Sequence, residues 1–180
     1  MELHEKKLRQ VNSYSGIIVD VTLDQAQLAD GSRAFREVVH HPGGVTVLPL
    51  DEEGFVYCVR QYRYPYGEVL LELPAGKLEK GEDPFECAKR ELSEETGFTA
   101  DDWQSLGAMY TSPGYCSETL HLYLARSLHA GEAHLDEGEF LAVERIALSE
   151  LLDMVMANRI RDGKTAMAVL KAARLLQAES

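Results

Sequence analysis

Residues 76–98 read GKLEKGEDPFECAKRELSEETGF, and this stretch decides the fold. Asp83 can cap a helix, Pro84 suits its first position, and Glu86 stands where a capping box has its acidic partner. Phe85, Ala88 and Leu92 form an apolar stripe at helical spacing, and Gly97 falls where a left-handed C-terminal residue is wanted. Glu91, Glu94 and Glu95 lie along one side of the same helix. Like charges at that spacing weaken an isolated helix, so something must offset them. A hard divalent cation with oxygen ligands, Mg²⁺ or Mn²⁺, is the obvious candidate.

The flanks read mostly as strands. Before the helix, alternation suggests strands near Gly16–Gln25, Arg33–His41, Gly44–Leu50 and Phe55–Tyr62, with a short run at Glu68–Leu73 leading to Pro74-Ala75-Gly76. Turn signals at Ala29-Asp30-Gly31-Ser32, Pro42-Gly43-Gly44 and Asp51-Glu52-Glu53-Gly54 separate them. After it come strands near Gln104–Tyr110, Thr119–Arg126 and Phe140–Ile146, then helices at Ser149–Asn158 and from Asp162 or Gly163 to about Gln177. Strands with a few interposed helices, without regular βαβ alternation, indicate an α+β chain with a mixed sheet.

Composition narrows the function. The chain has 180 residues, 45% of them hydrophobic and 27% charged, which suits a single soluble domain. A net charge of −12 argues against nonspecific nucleic-acid binding and against an anionic membrane surface. An anionic substrate is compatible if metal and a few arginines reverse the field locally. Cys58, Cys87 and Cys116 form no CxxC pair and read as reduced thiols. The six histidines make no HExxH pattern, so zinc is not indicated. The N-terminus MELHEKKLRQ has no apolar core, no run approaches membrane-spanning length, and a cytoplasmic location is expected.

Gly76, Glu82, Arg90, Glu91, Leu92, Glu94, Glu95, Gly97 and Phe98 fill every fixed position of G-x5-E-x7-R-E-U-x-E-E-x-G-U, U being apolar. A chance match is on the order of 10⁻⁹ to 10⁻⁸ per starting position. A solvated, glutamate-rich helix explains the charge but not the glycines, the arginine and the spacing together. The chain resembles the Nudix hydrolases. The resemblance implies a Nudix fold, an α/β/α sandwich around a central mixed β-sheet with an N-terminal antiparallel strand region. It implies residues 1–42 as that strand region and 43–180 as the hydrolase domain, the two forming one compact unit. It also implies hydrolysis of a nucleoside diphosphate linked to another group. Carried over by position, Glu91, Glu94, Glu95 and the Ala75 carbonyl would hold the divalent ions. Arg90 and Glu82 would orient those carboxylates, and Arg90 and Glu94 would also count among the catalytic residues.

Segments outside the box are similar to the ADP-ribose pyrophosphatase subfamily. These are Gln61-Tyr62-Arg63, Leu71-Glu72-Leu73-Pro74-Ala75-Gly76, and Ser112-Pro113-Gly114 with Glu118, Pro113 standing fifteen residues beyond Phe98. The resemblance implies substrate binding by Arg36, Glu37, Arg63, Pro113, Gly114 and Glu118. Arg63 would present two parallel N–H bonds to phosphate oxygens; its bland alternative is a surface arginine at a strand end. Ser-Pro-Gly by itself is an ordinary turn. For stacking a base the chain offers Phe35 or Tyr14, since its sole Trp103 falls elsewhere. The acidic loop Asp136-Glu137-Gly138-Glu139-Phe140 matches a loop that helps activate water in the subfamily; Glu139 is the expected base and Glu137 the second choice, against the alternative of a solvated turn. Ile160-Arg161-Asp162-Gly163-Lys164-Thr165 is similar to a family segment too, but Asp162 or Thr165 as a helix cap explains it better.

The reading is therefore Mg²⁺-dependent hydrolysis of ADP-ribose to AMP and ribose 5-phosphate, Mn²⁺ being able to substitute. A broader action on nucleoside-diphosphate sugars, such as GDP-mannose, is the alternative. A noncatalytic nucleotide-sugar sensor would be favoured by missing box carboxylates or an attached DNA-binding segment, and the chain has neither. Relatives of the subfamily imply a homodimer whose N-terminal strands reach the partner's pocket, with no nucleic-acid or membrane partner.

Overall fold

Residues 44–50, GVTVLPL, are apolar on both faces of an extended chain, as expected of a strand covered on two sides. In the computed structural model, which describes residues 3–135 and 138–179, this segment is the buried centre of the larger of two compact units. The elements in chain order are β1 (Lys6–Ser15), β2 (Asp20–Gln27), β3 (Arg33–His40), β4 (Gly44–Pro49), β5 (Phe55–Arg63), β6 (Glu68–Glu72), β7 (Ala75–Lys77), α1 (Pro84–Thr96), β8 (Phe98–Tyr110), β9 (Thr119–Ala130), β10 (Leu141–Ala147), α2 (Leu148–Met156) and α3 (Gly163–Glu179).

The larger unit comprises Gly44–Met109 and Leu120–Ser180. One sheet has the order β7-β4-β9-β8, with β4 parallel to β9 and antiparallel to β7; the other is the antiparallel β10-β5-β6. Val45 and Val47 point to one side of β4, where they pack with Cys87, Ala88 and Leu92 of α1. Leu48 and Leu50 lie in the opposite core, with Leu151 of α2 and Ala168, Val169 and Ala172 of α3. Helices thus cover both faces, giving the α/β/α sandwich of an α+β chain. Truncating Leu92, fully buried, would cost about 2–5 kcal/mol.

Helix α1 starts as its sequence dictates. The Asp83 carboxylate accepts from the N–H groups of Phe85 (2.9 Å) and Glu86 (3.3 Å), with Pro84 in the first turn. The reciprocal half of the capping box is not used: Glu86 pairs with Lys89 at 2.8 Å instead. Gly97 closes the helix at φ 75°, its N–H donating to the Ser93 carbonyl. Trp103 stands edge-on to Phe85 at 5.4 Å and also meets Tyr123, so it belongs to the packing outside α1.

The smaller unit comprises Met1–Gly43 and Tyr110–Thr119. Its antiparallel sheet runs β1-β2-β3. All ten residues of β1 are exposed, and bulges interrupt its pairing with β2. Because neither face is covered, KKLRQVNSYS has no hydrophobic period, which is why pattern reading misses it and begins the next strand four residues early. Among the described residues no helix is long and apolar enough to cross a membrane.

Candidate active site

Residues 72–76, ELPAG, run beside α1 and are fixed at every step. The Glu72 carboxylate, 1% exposed, takes two 2.7 Å bonds from Arg63 and an ion pair from Lys164. The Leu73 N–H donates to the Thr165 hydroxyl at 2.9 Å. The Pro74 carbonyl accepts from the Val47 N–H (2.9 Å) and from the Thr46 hydroxyl (3.1 Å). The Ala75 N–H donates to Glu95 Oε2 at 3.0 Å. At Gly76 the Glu91 carboxyl lies directly against the backbone, where a β-carbon would come within 1.9 Å of it. A side chain there would have to displace the Glu91 carboxyl, so glycine at the first position of the motif leaves that carboxyl its place.

Arg90 is the cationic hub of α1. Its Nε and Nη2 donate to the two oxygens of Glu82 at 2.9 and 3.1 Å, and its Nη1 donates to Glu91 and Glu94, each at 2.8 Å. The Glu82 carboxyl is consequently held down at about 2, chiefly by the Arg90 hydrogen bond, and it also accepts from the Glu79 N–H. Glu95 is the opposite case. Burial pushes it up to about 8; Glu91 and Glu139 add to the rise, while the Ala75 N–H and Arg63 oppose it. Burial also raises Glu91, against the pull of Arg90.

Glu139 is half-buried, and its charge contributes, less than burial does, to the upward shifts of Glu91 and Glu95. Glu137 lies outside the described residues. Arg63 also acts on Glu95, linking the Glu72 pair to the same cluster. The loop stem that leads to Glu139 is tied to α1 by the His134 N–H, which donates to the Glu94 carbonyl at 3.0 Å.

The other expected residues belong to the smaller unit. There the loop carrying Pro113, Gly114 and Glu118 is bound to the end of β3: Val39 N–H donates to the Tyr115 carbonyl at 2.7 Å, and Ser117 N–H to the Val39 carbonyl at 2.9 Å. Glu118 lies 3.2 Å from His41 Nδ1. Glu37 is exposed on β3, and Arg36 is engaged by Glu5 through bonds of 3.0 and 2.7 Å. Phe35 and Tyr14 are both exposed.

Glu91, Glu94, Glu95 and the peptide oxygen of Ala75 make an oxygen-only donor set, the kind hard divalent cations take. Burial raises two of its carboxylates, the half-buried Glu91 and the buried Glu95, and neighbouring negative charge adds to the rise, which a cation would offset. The set fits such a group, although among the described residues no three acidic, histidine or cysteine side chains are already gathered around one point. Arg90 Nη1 bridges Glu91 and Glu94 in this structure.

Glu72 and Lys164 were not picked out as site residues by sequence reasoning. In the sequence Glu72 figures only within the Leu71–Gly76 segment similar to the subfamily, and its partners appear only when Arg63 and the start of α3 meet over it. Asp162 does cap α3, accepting from the Thr165 N–H at 3.1 Å, yet the same turn delivers Lys164 to Glu72.

Residues 40–166 match the NUDIX domain. The ADP-ribose pyrophosphatase of Bacillus subtilis is 41% identical, over 98% of both chains. The methanol dehydrogenase activator of Bacillus methanolicus is 42% identical, over 92% of this chain and 90% of that one. A solved structure described as an ADP compounds hydrolase superposes with a TM-score of 0.88, covering 100% of this chain and 98% of that one at 22% identity, a likeness of fold. With its motif filled, its sandwich formed and its family domain spanning most of its length, the chain belongs to the Nudix family.

Proposed function

We propose that this enzyme hydrolyses the pyrophosphate bond of ADP-ribose, giving AMP and ribose 5-phosphate, with Mg²⁺ as its metal and Mn²⁺ as a substitute. The reaction type rests on one observation above the others: Glu95, buried and bonded to the Ala75 N–H, shares a patch of negative charge with Glu91 and Glu139. The choice of ADP-ribose rests on the near full-length relative of that name.

Held by Glu91, Glu94, Glu95 and the Ala75 carbonyl, Mg²⁺ would neutralise phosphate oxygens and acidify a bound water. Arg90 and Glu82 keep the carboxylates oriented. Glu139 takes the proton of the attacking water, with Glu137 as its alternate. Arg63, aimed by Glu72, binds a phosphate oxygen, and Arg36, Glu37, Pro113, Gly114 and Glu118 are assigned to the substrate. We further assign residues 1–42 to a homodimer in which they help complete the partner's pocket. The three free cysteines support a reducing, cytoplasmic location.

The test is a product assay on ADP-ribose, GDP-mannose, other nucleotide sugars and dinucleotides with Mg²⁺. ADP-ribose should be cleaved most efficiently, yielding AMP and ribose 5-phosphate. Equal efficiency on GDP-mannose would overturn the narrow assignment, and no cleavage on any of them would overturn the enzyme. The Bacillus methanolicus relative gives a second reading, activation of a dehydrogenase. Stimulation of methanol dehydrogenase by a variant that cannot hydrolyse ADP-ribose would favour it.

A further inference from the structure

The turn Asp162-Gly163-Lys164-Thr165 does more than start α3. One oxygen of Asp162, Oδ2, accepts from the Thr165 N–H (3.1 Å), the Thr165 hydroxyl (2.5 Å) and the Lys164 ammonium (3.0 Å). The two side chains gathered there reach neighbouring residues of one segment. Thr165 Oγ1 accepts the Leu73 N–H at 2.9 Å, and Lys164 Nζ pairs with the Glu72 carboxylate. The contacts close a ring that runs from Asp162 through Thr165, Leu73, Glu72 and Lys164 back to Asp162. One helical turn thus holds both a side chain and the adjacent main chain. Leu73 lies between β6 and β7 and is fully buried, so the hydroxyl satisfies an N–H that has left its strand ladder. Two residues on, the Ala75 N–H is bonded to Glu95, which places the ring next to the acidic face of α1. Arg63 extends from this ring, with Nε and Nη2 both on Glu72 at 2.7 Å. Its side chain is 37% exposed, against 11% for Lys164 and 1% for Glu72. Of the two cations on this carboxylate, the guanidinium is the one open to a ligand, and the ammonium is nearly enclosed.

We propose that Lys164 is a positioning residue for substrate binding: without touching the substrate, it ties the Glu72 carboxylate to the first turn of α3 and so fixes the direction in which Arg63 presents its remaining N–H groups. This rests on the reading of Arg63 as a phosphate-binding residue. Arg63 ends β5 and Glu72 ends β6. Both carry long side chains, and their mutual bonds leave the pair free to turn as a unit. Lys164 supplies a fixed reference, because its other partner, Asp162, is locked in the helix cap. With the ammonium in place, the guanidinium plane is set before a phosphate arrives, and forming two parallel N–H bonds to it need not order the arginine. Without the ammonium, that ordering falls on substrate binding. The chemical step is left as it was, since the groups on α1 are held by other contacts.

The experiment compares wild type, Lys164→Met, Arg63→Met and the double variant on ADP-ribose, measuring kcat, KM, Mg²⁺ half-saturation and melting temperature. Lys164→Met leaves the Asp162 cap and the Thr165–Leu73 bond in place, so it separates the aiming of Arg63 from the start of the helix. Lys164→Gln, neutral but still able to donate a hydrogen bond, stands in if Lys164→Met fails to fold, and is read by the same outcomes. Lys164→Met is expected to raise KM by about fivefold, with kcat and Mg²⁺ half-saturation within about twofold. In the Arg63→Met background it should raise KM no further. An unchanged KM in Lys164→Met would overturn the proposal. A fall in kcat as large as the rise in KM would also overturn it, because the ammonium would then support the centre as a whole. So would an equal rise in both backgrounds, because Lys164 would then act on something other than Arg63. A wild-type KM in Arg63→Met would remove Arg63 from the substrate, a result distinct from the others and equally fatal to the proposal.

Discussion

Arg63 and Glu72 form a two-pronged ion pair, each prong 2.7 Å long, in which the carboxylate is buried and the guanidinium reaches solvent. Burial alone would raise the Glu72 carboxyl; Arg63 and Lys164 together override it and bring it below the ordinary value. The pair fixes Nε and Nη2 of Arg63 and so fixes the plane of the whole guanidinium.

Glu72→Gln keeps the shape but removes the charge. It leaves two cations facing one neutral amide, and removing one partner of a buried pair costs about 3–5 kcal/mol. The expected result is a lower melting temperature with KM for ADP-ribose raised about tenfold and kcat changed less, since Arg63 loses its aim rather than its charge. A KM equal to wild type, read by steady-state kinetics, would detach Arg63 from the substrate.

Gly76→Ala places a β-carbon where the Glu91 carboxyl now lies. A flexible side chain is what must yield, so the fold should survive with nearly the wild-type melting temperature. The displaced Glu91 should weaken Mg²⁺ binding, raising the half-saturating concentration by at least about tenfold. Calorimetric titration with Mg²⁺ checks this, and an unchanged affinity would place the ion away from Glu91.

The metal-free protein should depend on pH through Glu95, which burial raises from the ordinary carboxylate range to about 8. In that window the folded state binds more protons than the unfolded one, so stability falls as pH rises. The apo melting temperature should therefore drop between about pH 5 and about pH 8. Mg²⁺ should restore more stability at the upper end and release a proton on binding, since it needs the carboxylate. Thermal unfolding with and without Mg²⁺ across this range reads both effects. A Mg²⁺ affinity independent of pH would mean that Glu95 is not a ligand.

Much of this was legible in the residues. The helix start at Asp83-Pro84, its end at Gly97 and the acidic face between them are local features, and α1 forms as they dictate. The buried strands β4 and β5 carried clear apolar patterns and appear within a residue of their expected bounds. Strand β1 was illegible because it covers nothing and so has no reason to alternate. Glu86 filled a capping-box position, yet Lys89, one turn along and free to reach it, took its carboxylate.

By itself the sequence determined the family, because glycine, arginine and glutamate at fixed intervals fill every position of its motif. Tertiary structure alone decided what holds that motif and the segment leading into it in place. Glu72 meets Lys164 across 92 residues, Leu73 meets Thr165 across the same distance in the chain, and Gly97 meets Gly131. Such contacts depend on which backbones pack within a few ångströms, a quantity set by the whole fold and carried by no local pattern. The box names the chemistry, and the folded chain aims it.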